Sequence, residues 1–201
     1  MKIVNAEPVI LASQSATRQT LLRNAGIAFE AIAPQLDERG VQHASELRAP
    51  GDVALHLAEA KAAEVSARFP ARLVIGADQT LALGARLFNK PGDRESAAAQ
   101  LRSLAGATHE LHSAIAVLRN GAVLFRHIAV ARMTMRSMTD SEISAYLDAA
   151  GDAVTRSVGA YQLEGFGIHL FSRIDGDHFT ILGLPLLPLL TYLRSEKLLS
   201  F

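Results

Sequence analysis

Residues 8–34 read "PVILASQSATRQTLLRNAGIAFEAIAP", and the pattern changes within its first dozen positions. The apolar run "PVILA" is short and rich in branched residues, as a buried strand would be. At Ser13 it gives way to small hydroxyl residues. From Ala16 the spacing of Leu21, Leu22 and Ala25 is helical, and Gly26 closes the pattern. Ser15 caps this helix by accepting from an N–H of its first turn. The cap explains one serine but neither Ser13 nor Arg18, since a cation in the first turn opposes the helix dipole. A strand-to-helix turn gathers free N–H groups at the positive end of that dipole, and a guanidinium adds a forked donor matched to an anion. Two readings stay open here: an anion-binding turn, or a capped helix carrying an exposed arginine.

A second apolar run, "RLVIGAD" at residues 72–78, also reads as a strand and ends in Asp78. Between the two runs, "DVALHLAEAKAAEVSARFP" (52–70) sets Leu57, Lys61, Ala62 and Val65 at helical spacing and stops before Pro70. After Asp78, "QTLALGARLFNKP" reads as a hairpin turning at Gly84 and Ala85. A helix over 93–106 follows, and then two strands within 109–138 joined by Asn120-Gly121, a strong hairpin signal. Thr139 and Glu142 form a capping box for a helix over 140–151. A glycine-rich passage (157–185) leads to a last helix starting near Pro185. Helices and strands alternate early, while hairpins dominate the middle. The order predicts an α/β fold with a mixed twisted sheet flanked by helices, in a single domain spanning 1–201.

The bulk properties narrow the function. Twenty basic and twenty acidic side chains cancel, so the electrostatic footprint of a general nucleic-acid binder is missing and no nucleic-acid partner is expected. A small anionic substrate needs only a few local cations and stays open. There is no cysteine, which fits a reducing compartment. The opening residues are too short and interrupted for a signal sequence, and "ILGLPLLPLL" is broken by two prolines and falls short of the ~20 apolar residues of a membrane span. A cytoplasmic chain with no membrane partner is therefore expected.

The residues able to do chemistry are scattered. Asp78 ends an apolar strand, a common position for a carboxylate that binds metal or orients water. Asp37-Glu38, Lys61 and Lys90 add two carboxylates and two cations. Oxygen ligands for a hard ion together with ammonium and guanidinium groups for phosphates are what a Mg²⁺–triphosphate complex requires. Singly, each has a plainer reading, with the lysines on the surface and Asp37-Glu38 in a solvated loop. The motif "HELH" (109–112) has the wrong spacing for zinc on a helix, and in a strand its histidines point to opposite faces, so both are read as structural. His178 stays outside the candidate site.

The stretches "LASQSATRQTLLRNAGIAFE", "LDER", "LAEAKA", "VIGADQ", "NKP", "GATHE", "VGAYQLEGFG" and "GDHFTILGLPL", in this order over nearly the whole chain, resemble the Maf family of nucleoside triphosphate pyrophosphatases, named after a septum-formation protein. The resemblance implies a two-lobed α/β fold similar to the inosine-triphosphate pyrophosphatases (ITPase-like). A cleft between the lobes would bind a nucleotide and a divalent metal, Mg²⁺ or Mn²⁺. The implied reaction releases a nucleoside monophosphate and pyrophosphate in a house-cleaning role. By the same resemblance Asp78 is the catalytic acidic residue, Ser13, Ser15 and Arg18 form the phosphate-binding turn, Lys61 and Lys90 are the lysines of the site, and Glu38 is the acidic residue at the metal. Thr17, Gln79 and Glu164 fall at base-discriminating positions, and "ADQ" with "EGFG" is nearer the branch acting on 7-methyl-GTP than that acting on dTTP and UTP. The family's "SPRR" or "SPWRR" becomes "SATR" here, which puts Ala16 and Thr17 where proline and a bulky or basic residue are usual. Family members are often dimeric, so a homodimer is among the implied states. The alternative is a non-catalytic nucleotide- or protein-binding regulator of cell division. A phosphatase or kinase is the weakest reading, since neither a P-loop nor a kinase signature occurs.

Overall fold

In the computed structural model, which describes residues 7–199, strand β1 (Val9–Ala12) is buried at all four positions. Its alternation sends Val9 and Leu11 to one face of the sheet and Ile10 and Ala12 to the other, so both faces need covering. Helix α1 (Ala16–Asn24) and strand β2 (Phe29–Ala31) follow, then α2 (Glu38–Ala44), α3 (Pro50–Arg68), β3 (Val74–Leu83) and β4 (Arg86–Phe88). The order continues with α4 (Arg94–Leu104), β5 (Thr108–Arg119), β6 (Ala122–Met135) and α5 (Asp140–Ala150). Three short 3₁₀ turns then lead to β7 (Phe171–Asp175), α6 (His178–Ile181) and α7 (Leu186–Ser195). The sheet is seven-stranded and mixed, in the order β2-β1-β3-β5-β6-β7 with β4 paired to β3. This is the expected class, and among the described residues no helix is long and apolar enough to cross a membrane.

The chain forms two compact units. The first runs to Gln79 and adds Ser113–Ala129 and the residues from His178 onward. Here β1 lies parallel to β2 and to β3, with Ile10 opposite Val74 and Ala12 opposite Gly76. On one face Leu21 and Leu22 of α1 and Leu186, Leu189 and Leu193 of α7 pack against Val9, Leu11, Ile75 and Val117. On the other, Ala54, Ala58, Ala62 and Val65 of α3 pack against Ile10, Val74, Ala114 and Ala116. The alanines let α3 lie directly on the sheet. At Gly76 a Cβ would stand 2.0 Å from the Ala58 carbonyl oxygen, so this crossing tolerates no side chain. Asn120 and Gly121 both take positive φ (52° and 73°) in the turn from β5 to β6, as the sequence predicts.

The second unit is Thr80–His112 with Val130–Asp177. Leu83 pairs with Arg86 across the expected two-residue turn at Gly84-Ala85. Capping boxes start both helices, Asp93 with Ser96 on α4 and Thr139 with Glu142 on α5. Strand β7 was not legible in the glycine-rich passage; it pairs antiparallel with β6, Arg132 opposite Asp175. His109 and His112 leave β5 on opposite faces. His109 is fully buried, its Nε2 2.7 Å from the Tyr161 hydroxyl, while His112 Nε2 lies 2.9 Å from Glu110 Oε2.

Two expectations are corrected. The strand does not end at Asp78: β3 runs ten residues from Val74 to Leu83 because β4 continues its pairing on the far side. Glu38 is not in a solvated loop but opens α2, whose N-cap Asp37 accepts from the Gly40 N–H.

Candidate functional site

Strand β3 outruns β1. The last β1–β3 pair is Ala12 with Gly76, so Ala77, Asp78 and Gln79 continue where the neighbouring strand has turned away through Ser13–Ser15 into α1. Polar side chains from three helices gather around these residues, all within the first unit.

Lys61 reaches Asp78 from α3. Its Nζ donates to Asp78 Oδ1 at 2.6 Å and lies 2.8 Å from Glu38 Oε2. Lys61 and Asp78 are buried, 6% and 8% exposed, whereas Glu38 is half open to solvent. The plain reading of Lys61 as a surface lysine is thereby overturned. An ammonium this deep is tolerable only when paired, and each partner depends on the other for its charge. Burial raises the Asp78 carboxyl above the ordinary carboxylate value, while the charges of Lys61 and Arg18 pull it back.

The charge that looked misplaced on α1 now has a structural account. Arg18 Nε donates to the Gly183 carbonyl and Nη1 to the Ala77 carbonyl, both at 2.8 Å, and Nη1 lies 3.4 Å from Ser13 Oγ. At Ala77 the guanidinium stands where β1 would otherwise supply a backbone partner. Ser13 Oγ also accepts from the Ser15 N–H at 3.2 Å, and Ser15 Oγ caps α1 by accepting from the Arg18 N–H at 3.3 Å. Three of the residues assigned to the turn therefore hold one another. Thr17 sits half-buried in the first turn of α1.

Gln79 leaves β3 on the side opposite to Asp78. Its Nε2 donates toward Ser113 Oγ at 2.8 Å, the Thr180 carbonyl at 3.1 Å and the Ile181 carbonyl at 3.0 Å. Gly183 (φ +85°) closes this corner, where a Cβ would lie 3.3 Å from Arg18 Nη2 and 3.7 Å from the Gln79 amide carbon. Ser113 and the carbonyls of Thr180, Ile181 and Gly183 were missed from the sequence. The available signal was a serine inside the apolar run "SAIAVL", a polar residue where only a hydrogen-bonded one can be buried. Lys90 and Glu164 belong to the second unit and are exposed there.

Among the described residues no three His, Cys, Asp or Glu side chains gather as a metal cage. Asp78 and Glu38, however, converge on one cationic atom, and a hard divalent ion is commonly held by one or two carboxylates with phosphate oxygens completing its shell. The donor set thus fits a cation that arrives with a triphosphate.

Fold and site together define a mixed-sheet α/β protein with a buried ammonium shared by two carboxylates beside an arginine-bound turn. The chain belongs to the Maf family: the model described as Maf-like protein matches residues 8–196. It is 64% identical, over 98% of each chain, to a protein of Rhodopseudomonas palustris (strain BisB18) named nucleoside triphosphate pyrophosphatase. A 7-methyl-GTP pyrophosphatase of Rhizobium meliloti is 54% identical over 92% of this chain and 94% of its own. Among solved structures, a nucleoside-triphosphatase (dITP/XTP pyrophosphatase) of Mycobacterium abscessus aligns over 96% of both chains at TM-score 0.42 and 14% identity, a likeness too distant to carry an assignment.

Proposed function

We propose that this chain hydrolyses a nucleoside triphosphate to the monophosphate and pyrophosphate. The observation that carries the reading is the Lys61 ammonium held at 2.6 and 2.8 Å between Asp78 and Glu38. Relatives named for this activity, at 64% and 54% identity, support it. Water attacks the α-phosphorus, a new P–O bond forms, the bond from the α-phosphorus to the bridging oxygen breaks, and pyrophosphate leaves. Asp78 takes the proton of the attacking water, a role suited to a carboxyl that burial has made more basic. Lys61 and the Arg18 guanidinium offset the charge that builds on the phosphate oxygens. A divalent cation, Mg²⁺ or Mn²⁺, would be held by Glu38 and Asp78 and, when bound, supplies further neutralisation of the triphosphate. Ser13 and Ser15 keep the turn in shape. Lys90 is assigned to phosphate binding, and Thr17, Gln79 and Glu164 to nucleoside choice, by family likeness.

For the substrate we favour a guanine-type nucleotide such as 7-methyl-GTP, since Glu164 can accept from base N–H groups. The test is pyrophosphate release from 7-methyl-GTP, GTP, dTTP and UTP with Mg²⁺, with Mn²⁺ and with chelator. Metal-dependent pyrophosphate, with the methylated purine preferred, is expected. Orthophosphate as the product would make the chain a phosphatase, and a pyrimidine preference would remove the purine assignment.

A further inference from the structure

His109, the histidine of "GATHE", is fully buried on β5 and takes no part in the proposed chemistry. Its Nε2 lies 2.7 Å from the Tyr161 hydroxyl, and its buried Nδ1 meets no hydrogen-bond partner among the described residues. Burial lowers the pKa of the imidazole and raises that of the phenol, so both are neutral and the ring proton and the hydroxyl proton share one contact. With the hydroxyl donating to Nε2, the Nδ1 proton alone is unmatched, whereas the reverse strands the hydroxyl proton and the Nδ1 lone pair together. Tyr161 is therefore the donor and His109 its acceptor.

The bond holds a strained corner. Ala160 precedes Tyr161 with φ +61°, a conformation that a residue with a Cβ keeps only where its surroundings impose it. The Ala160 carbonyl accepts from the Tyr146 hydroxyl at 3.1 Å, and the Tyr161 ring stands edge-on to Phe171, centroids 4.8 Å apart. Directly after Tyr161, the Gln162 carbonyl accepts from the N–H groups of Gly165 at 3.2 Å and Gly167 at 3.1 Å, which curls residues 163–166 onto it. A Cβ at Gly167 would stand 2.3 Å from that oxygen, so the curl has no slack. Exposed Glu164 rides on it, and the whole arrangement lies within the second unit.

We propose that His109 and Tyr161 form a positioning pair that sets the direction of Glu164 and, through it, the choice of base. The inference rests on the assignment of Glu164 to nucleoside choice made under the proposed function.

Calorimetry with the α,β-methylene analogues of 7-methyl-GTP and UTP, which resist cleavage at the scissile bond, reads discrimination as a ratio of dissociation constants. Glu164→Ala should reduce the parent ratio about tenfold or more. Tyr161→Phe, which removes only the hydroxyl, should reduce it about fivefold by weakening the purine analogue and not the pyrimidine one. On the Glu164→Ala background the same change should move the ratio no further, since the pair acts through Glu164. His109→Leu should lower the ratio as Tyr161→Phe does, and His109→Gln, whose amide oxygen still accepts from the hydroxyl, should restore it, a pattern that a purely structural histidine would not give. An unchanged ratio in Tyr161→Phe overturns the proposal, as does an effect that persists in full on the Glu164→Ala background. Should Tyr161→Phe not fold, His109→Leu is judged by the same two outcomes. Equal affinities in the parent, or an unchanged ratio in Glu164→Ala, overturn the base assignment and the proposal with it. A chain that binds with these ratios but releases no pyrophosphate from natural triphosphates overturns the enzymatic reading alone.

Discussion

Asp78 and Gln79 are neighbours in β3, yet their side chains are held by different layers: Asp78 by Lys61 of α3 at 2.6 Å, Gln79 by carbonyls of α6 at 3.0 and 3.1 Å. A strand alternates its faces, so adjacent residues can serve two polar clusters only where the covering helices both bring polar groups. The continuation of β3 beyond β1 provides such a place.

Asp78→Asn should lower kcat by about a thousandfold or more, because the amide cannot take the proton of the attacking water. The fold should survive, since Lys61 keeps Glu38 as a partner at 2.8 Å. Steady-state kinetics beside a thermal melt decides the matter: pyrophosphate release within tenfold of wild type from a folded Asp78→Asn protein would remove Asp78 from the chemistry.

Lys61→Met should shift the acidic limb of the kcat/KM profile toward higher pH. Burial already raises Asp78, and among the groups opposing that rise the Lys61 charge is the largest. Removing it leaves burial and the Glu38 charge less opposed. A limb that stays in place or moves toward acid would mean that the profile reports some other group.

Gly76→Ala should destabilise the protein by about 1–3 kcal/mol or more. Its Cβ would stand 2.0 Å from the Ala58 carbonyl and 2.9 Å from the Ala62 Cβ, and most of those contacts are main chain or bound close to it. Urea unfolding measures the loss. A variant as stable as the parent would show that α3 can lift from the sheet without penalty.

His109 predicts a pH dependence in the second unit. Burial lowers its pKa from 6.5 to about 4. The unfolded chain therefore takes up this proton at higher pH than the folded one. The stabilisation from keeping His109 neutral is complete above about 6.5 and is lost as pH falls through about 4. His109→Phe should flatten the stability curve between these values, although it also gives up the 2.7 Å bond to Tyr161. Equal slopes for the two proteins in that window would show that another group carries the acid sensitivity.

Much of this was legible from sequence wherever the physics is local. The Ser15 cap, the turns at Gly84-Ala85 and Asn120-Gly121, and the Thr139–Glu142 capping box each depend on residues within a few positions of one another. The motifs singled out Ser13, Ser15 and Arg18, and Glu38, Lys61 and Asp78, which the structure joins in two bonded groups, but their geometry was out of reach. Arg18 finds its carbonyls 59 and 165 residues away, and nothing in "SATR" says that a guanidinium will replace a strand partner. Strand β7 was hidden for a similar reason: its ladder is made with β6, nearly forty residues earlier in the chain.

The four-residue helix α6 and the glycine after it form too short a segment to persist on helical hydrogen bonds alone. They are riveted at four points, by Gln79 to Thr180 and Ile181, by Ser113 to Thr180 and by Arg18 to Gly183. Saturation mutagenesis at positions 18, 79 or 113 will therefore deplete the cell of protein as well as of turnover. Abundance has to be scored alongside growth before any of the three is credited with selecting a nucleotide.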